Sequence, residues 1–175
     1  MQKPDSNPAP RAAVLTVSDR CHVGLTPDLS GPAARQRLEA LGWVISPAAI
    51  LPDEPEELAA WMRERADLDQ VDLILTLGGT GLGPRDRTPE ATLAVIDRSA
   101  PGLAEWMRSR GAEQTPLAAL SRAVAGLRGR TLILNLPGSP RAVEESLDSI
   151  QELLPHLVSQ LRGRGDWGAH RSHRT

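Results

Sequence analysis

One stretch narrows the possible architectures more than any other. Val71 to Leu77, VDLILTL, runs straight into Gly78-Gly79-Thr80-Gly81. A seven-residue strand with one charge is apolar on both faces, and such strands lie inside a sheet that is covered on both sides. Two covered faces call for helices on each, and parallel strands joined by helical crossovers supply them. The expectation is an α/β fold, a three-layer α/β/α sandwich around a mostly parallel sheet.

The rest of the chain has the parts. Ala12 to Val17 is a second apolar run. Trp43 to Ile45, continuing through Ala49 to Leu51, is a third, with Pro47 weakening its centre. Arg130 to Leu136 is a fourth. Between them lie helical patterns. Pro32 to Leu41 places Leu38 and Leu41 on one face, with Gly42 as a stop. Residues 54–67 set Leu58, Trp61, Met62 and Arg65 at helical spacing behind an acidic first turn. Residues 88–98 open with Thr88 as N-cap and Pro89 in the first turn. Pro101 to Ala112 and Ser139 to Gly163 follow, the latter with a break at Pro155. Residues 1–11 and 163–175 read as tails around a single domain at 12–162.

Composition removes several function classes. Net charge is −2, so no global field attracts nucleic acid or a membrane surface. Phe and Tyr are absent and Trp occurs four times, too few rings for the stacking platforms of single-strand binders. A single cysteine, Cys21, excludes an internal disulfide or a Cys-rich zinc site, and a reducing cytoplasm suits it. The first residues lack the apolar core of a signal peptide, and no run is long enough to span a bilayer. Cys21 beside His22 reads as a chance neighbour pair, His170 and His173 as tail residues, and Met62 and Met107 as core.

The chemistry-bearing residues sit where strands end. The first strand stops at Ser18-Asp19, with Asp28, Ser30 and Gly31 leading into the next helix. The second stops at Pro52-Asp53. The third stops at Gly78, Gly79, Thr80 and Gly81, followed by Arg85, Asp86 and Thr88. The fourth stops at Asn135, then Pro137, Gly138 and Ser139. In parallel sheets ligands bind beyond the carboxyl ends of the strands. Glycines let a ligand approach the backbone, and helix N-termini offer N–H groups to an anion. Carboxylates beside phosphate need a mediator, and Mg²⁺ bridges the two. The glycine spacing matches neither a Walker A loop nor a dinucleotide fingerprint. Each loop alone also fits a tight strand–helix connection or a solvated acid; four at one edge favour a ligand site.

In order along the chain, LTVSDR, DLSGPAARQRLEALGW, LPD, DLILTLGGTGLGPRDRTPEAT, PGLAEWMR, LSRAVAG and LILNLPGSPRAV resemble the MogA/MoaB family of molybdenum-cofactor biosynthesis proteins, over about Ala12 to Leu161. The resemblance implies adenylylation of molybdopterin: ATP as co-substrate, Mg²⁺ as cofactor, Asp53 and Asp86 as the functional and metal-binding aspartates, and Ser139 among the substrate contacts. It also implies a homotrimer and handover of the product to a molybdate-inserting protein. The family includes MoaB-type members that keep the fold without adenylylating, so an idle pterin-binding or carrier protein is the alternative.

Overall fold

The computed structural model describes residues 8–46 and 48–163. Seven strands form one sheet in the order β2-β1-β4-β7-β6-β5, with β3 (Ala49–Leu51) pairing further along β1. The strands β1 (Arg11–Val17), β2 (Val44–Ile45), β3, β4 (Leu73–Leu77) and β7 (Thr131–Leu136) run parallel. Two further strands, β5 (Arg98–Ser99) and β6 (Ala125–Arg128), pair antiparallel at the far edge. The sequence does not announce that edge. Residues 88–98, expected as one helix, therefore divide into α4 (Thr88–Leu93), a turn and β5.

The short helix α1 (Asp19–His22) follows β1, and side chains alternate across the strands to build two cores. Ala12, Val14, Leu73, Leu75, Leu132 and Leu134 face one way, joined by Leu38 of α2 (Ser30–Ala40), Met107 of α5 (Pro101–Ala112), Val143 and Leu147 of α6 (Pro140–Ile150) and Val158 of α7 (Leu154–Leu161). Ala13, Leu15, Val17, Ile74 and Ile133 face the other way, against Leu58 and Met62 of α3 (Pro55–Asp67) and Ala91 of α4. This is the three-layer sandwich that period-two alternation demands when both sheet faces are apolar. Each fully buried Leu in these layers contributes on the order of 1.5–3 kcal/mol. Leu41, expected beside Leu38, instead closes α2 and is 38% exposed. Pro155 does mark a new start, within the first turn of α7. Pro47 and the segments 1–7 and 164–175, including His170 and His173, lie outside the described residues. Arg11, placed in the tail by sequence, opens β1.

A buried ion pair closes the edge where the strands begin. Arg162 reaches Asp72 with two parallel bonds, Nε to Oδ1 at 2.9 Å and Nη2 to Oδ2 at 2.8 Å. The Arg11 amide donates to the same carboxylate at 2.9 Å. Arg162 also donates to the carbonyls of Pro8, at 2.7 Å, and Ala9. Burial alone would raise the Asp72 carboxyl; the Arg162 fork and the Arg11 amide outweigh it and hold the group below its ordinary range.

Candidate active site

From β1 the chain moves outward to β2 and β3, then crosses back to β4 on the other side of β1. That reversal opens a crevice between the carboxyl ends of β1 and β4, the place where doubly wound sheets bind ligands. A cleft of about 450 Å³ lies there. Ser18, Asp19, Asp28, Ser30, Asp53, Gly78, Gly79, Asp86 and Gly138 line it, so nine of the sequence-selected residues from all four loops meet in one place. Thr16, Cys21, Leu29 and Pro140 join them. Helices α2 and α6 start at its rim: Ser30 donates to the Gly138 carbonyl at 2.6 Å, and Ser139 caps α6 by accepting from the Ala142 amide.

The acids are held by different means. Asp28 accepts from Thr16 Oγ1 at 2.8 Å and from the Gly31 amide at 2.9 Å, which buckles the 23–31 loop onto the end of β1. Asp19 accepts two bonds from Arg85, at 3.0 and 2.9 Å, and one from the Asp53 amide at 3.1 Å. Arg85 also pairs with Glu54 at 3.1 Å. The Arg85 bonds, followed by the Asp53 amide, hold the Asp19 carboxyl below its usual range. Asp86 Oδ2 accepts from the Gly83 amide at 2.8 Å, folding its own loop back on itself.

Asp53 is the exception. Burial first, then the charges of Asp19 and Asp86, raise its carboxyl to about 6 against the opposing pull of Arg85. Folding thus favours its protonated form. The contribution of Asp53 to stability is complete below the unfolded carboxyl value of about 3.9 and fades as pH rises through about 6. In EDTA, Asp53→Asn should match the parent's melting temperature near pH ~4 and exceed it near pH ~8. Equal melting temperatures at the higher pH would contradict a buried, repelled charge.

Beneath Gly79 two polar atoms are buried without a hydrogen-bond partner among the described residues, Asp53 Oδ1 and Thr88 Oγ1. Gly79 has φ +61, and a Cβ there would collide with Thr88 Oγ1 and sit 2.5 Å from Asp53 Oδ1. Gly78, at φ +108, packs against the Val17 carbonyl in the same way. Both glycines therefore pack directly against oxygen atoms, with no room for a side chain. Gly79→Ala should clash there and strain the loop, costing about 1–3 kcal/mol in chemical denaturation. A variant as stable as the parent would show that the contact is not constrained.

Other sequence-selected residues lie elsewhere. Thr80, Gly81 and Pro137 face a second cavity, an apolar groove of about 620 Å³ between α5, α6 and the 3₁₀ turn Pro116–Leu120. The Gly78–Gly81 loop is the wall between groove and cleft. Asn135 has no exposed surface; its amide donates to Thr76 and Thr92 at 2.8 Å each, and its oxygen accepts from the Val124 amide. Thr88 is not an N-cap: Arg87 holds that position, and the Thr88 amide donates to the Gly79 carbonyl. Met62 and Met107 are buried, as read. The Cys21 thiol faces Thr26 and Pro27, and the His22 ring faces the Ile50 carbonyl. Sequence reading passed over Thr16, Glu54 and Arg122. Thr16 carried a signal of its own, a polar residue at the end of an apolar run, and Arg122 lies within LSRAVAG.

The family model described as "Probable molybdopterin binding domain" matches residues 13–156. The chain belongs to the MogA/MoaB family. Within it, the chain is 38% identical over 154 residues to a molybdopterin adenylyltransferase of Helicobacter pylori, spanning 86% of each chain. It is 43% identical over 146 residues to the molybdenum cofactor synthesis protein cinnamon of Drosophila melanogaster, covering 83% of this chain and 24% of that much longer one. A MoaB structure from Thermus thermophilus superposes with TM-score 0.83 at 50% identity, covering 89% of this chain and 98% of the other.

Proposed function

We propose that this MogA/MoaB-family chain is a molybdopterin adenylyltransferase. What carries the reading is the convergence of Asp53 and Asp86, from separate loops, on a glycine-lined cleft at the switch point of the sheet; relatives of that name over most of the chain support it. In the reaction a terminal phosphate oxygen of molybdopterin attacks the α-phosphorus of ATP. The bond from that phosphorus to the α–β bridging oxygen breaks, and pyrophosphate leaves with the electron pair. Such transfers need positioning and charge neutralisation more than a protein nucleophile. The loop amides after Gly78, whose own amide donates to Leu136, and the first-turn amides of α2 and α6 not taken by Asp28 and Ser139 would bind phosphate oxygens. The apolar groove across the loop would receive a flat ring of a substrate, a use its lining of Met107, Leu117, Ala118 and Leu120 suits.

The oxygens present fit Mg²⁺. Among the described residues no three acidic, His or Cys side chains cluster to hold a metal, but Mg²⁺ usually needs only one or two carboxylates plus substrate phosphates. The unpartnered Asp53 Oδ1 and the Asp86 carboxylate would hold it, and when bound it would neutralise phosphate charge. A cation also offsets the burial, and the charges of Asp19 and Asp86, that raise Asp53.

Purified protein given molybdopterin, ATP and Mg²⁺ should release pyrophosphate. The second reading, a pterin carrier of MoaB type, rests on the family resemblance; pterin binding with no pyrophosphate release would establish it instead. The resemblance further supports a homotrimer that passes its product to a molybdate-inserting protein in the cytoplasm. Sedimentation equilibrium at micromolar concentration should give three times the chain mass, and a monomer would refute the assembly. No helix among the described residues is long and apolar enough to cross a membrane.

A further inference from the structure

Asp86 sits in a segment with little structure of its own. Between Gly81 and Arg87 the internal bonds are local, the Asp86 amide to the Gly83 carbonyl at 3.0 Å and the Gly83 amide back to Asp86 Oδ2. Leu82, Gly83, Pro84, Arg85 and Arg87 are exposed. Such a segment would not by itself hold a carboxylate in a fixed place.

Arg85 ties the middle of the segment to Asp19 and Glu54, and Arg122 fixes its two ends. Its Nε donates to the Gly81 carbonyl at 2.7 Å and its Nη2 to the Asp86 carbonyl. Its Nη1 pairs with Glu90 of α4 at 2.5 Å, and its own amide donates to the Thr80 carbonyl at 2.8 Å. One planar fork thus grips both ends of the Gly81–Asp86 segment and the helix that follows. The neighbours Ser121 and Ala123 line the apolar groove, on the other side of the wall. The residue therefore stands between the two cavities, bonded to the loop that separates them.

We propose that Arg122 is a positioning residue for the transfer reaction: it fixes the Gly81–Asp86 segment, and through it the Asp86 carboxylate, against the phosphate cleft. This rests on the adenylyltransferase reading above. Lysine cannot replace it, because an ammonium donates from one nitrogen and cannot span three acceptors that the guanidinium reaches from three. Arg122 touches no reacting atom; its effect is on where Asp86 is when the phosphates arrive.

The test uses the full chain with Arg122→Ala and Arg122→Lys. In Arg122→Ala, amides of residues 81–87 should exchange with deuterium faster while those of β4 and β7 stay protected. The kcat for pyrophosphate release should fall by about 100-fold, the effect of a displacement of about 1 Å in a reacting group, with KM for ATP moved far less. Methylguanidinium should restore part of that rate, and Arg122→Lys should recover little of it. Unchanged exchange in 81–87, a Lys variant at the parental rate, or a rate loss matched by lost β4 and β7 protection without methylguanidinium rescue would each overturn the proposal. A parent that releases no pyrophosphate would bring down the adenylyltransferase reading and this one with it; an active parent with an equally active Arg122→Ala would bring down this one alone.

Discussion

Asp86→Asn should slow pyrophosphate release by roughly 100-fold, about 3 kcal/mol of transition-state stabilisation, while leaving the fold nearly untouched. The amide keeps an oxygen that can accept from the Gly83 amide, so the turn that Asp86 organises survives. What disappears is one negative charge facing the cleft. A charge that binds a cation at the reacting phosphates acts more on the transition state than on the ground state, so kcat should fall more than pterin affinity. Stability should change by no more than about 0.5 kcal/mol. Steady-state release of pyrophosphate, pterin titration and thermal melting together decide the matter. A variant that turns over ATP like its parent would reduce Asp86 to the acid of a surface turn.

The second large effect lies at the opposite edge. Arg162→Ala should destabilise the domain by about 3–5 kcal/mol, the cost of leaving a buried partner charge uncompensated. At about 2–4 °C per kcal/mol for a chain of this size, the melting temperature should drop by roughly 10 °C. Asp72 and Arg162 side chains are each only 11% exposed, so water replaces the lost bonds only in part. The folded Asp72 carboxyl lies below its unfolded value, so the pair contributes fully above about pH 3.9 and is lost as pH falls through the lower folded value. Replacing both residues, Asp72→Leu with Arg162→Met, should recover much of the deficit. A single-variant loss under about 1 kcal/mol would place the pair with ordinary surface bridges.

Much of this molecule could be read from its sequence because the informative features are local. VDLILTL is apolar on both faces, and β4 is indeed central and fully buried. The acids and glycines follow their strands directly, so a parallel sheet was enough to gather them at one edge. The antiparallel edge was illegible for the opposite reason. Strand β5 is two exposed residues, Arg98 and Ser99, and its place is set by pairing with Leu127 and Gly126, far along the chain. Thr88 followed by Pro89 matches the pattern of a helix cap, yet its amide bonds to Gly79 and it stands inside the helix, with its hydroxyl buried against Gly79 instead. Asn135 looked like a loop residue meeting a ligand; buried threonines on β4 and α4 use its amide. Arg122 lay within the LSRAVAG motif, but nothing local pointed to its role, since its acceptors lie 32 to 41 residues away in the chain.

The bonds from Arg162 to the carbonyls of Pro8 and Ala9 have a consequence for how such a unit is reused. They bring the first and last stretches of the described chain side by side, at the edge from which β1 sets out. Seven residues of β1 separate that edge from the acids, about 20 Å at ~3.3 Å per residue. Pro8 and Arg162 thus both stand at the back of the molecule, away from the cleft. A unit wired this way can be plugged into a longer polypeptide like a cassette, with both leads emerging on the side away from its chemistry.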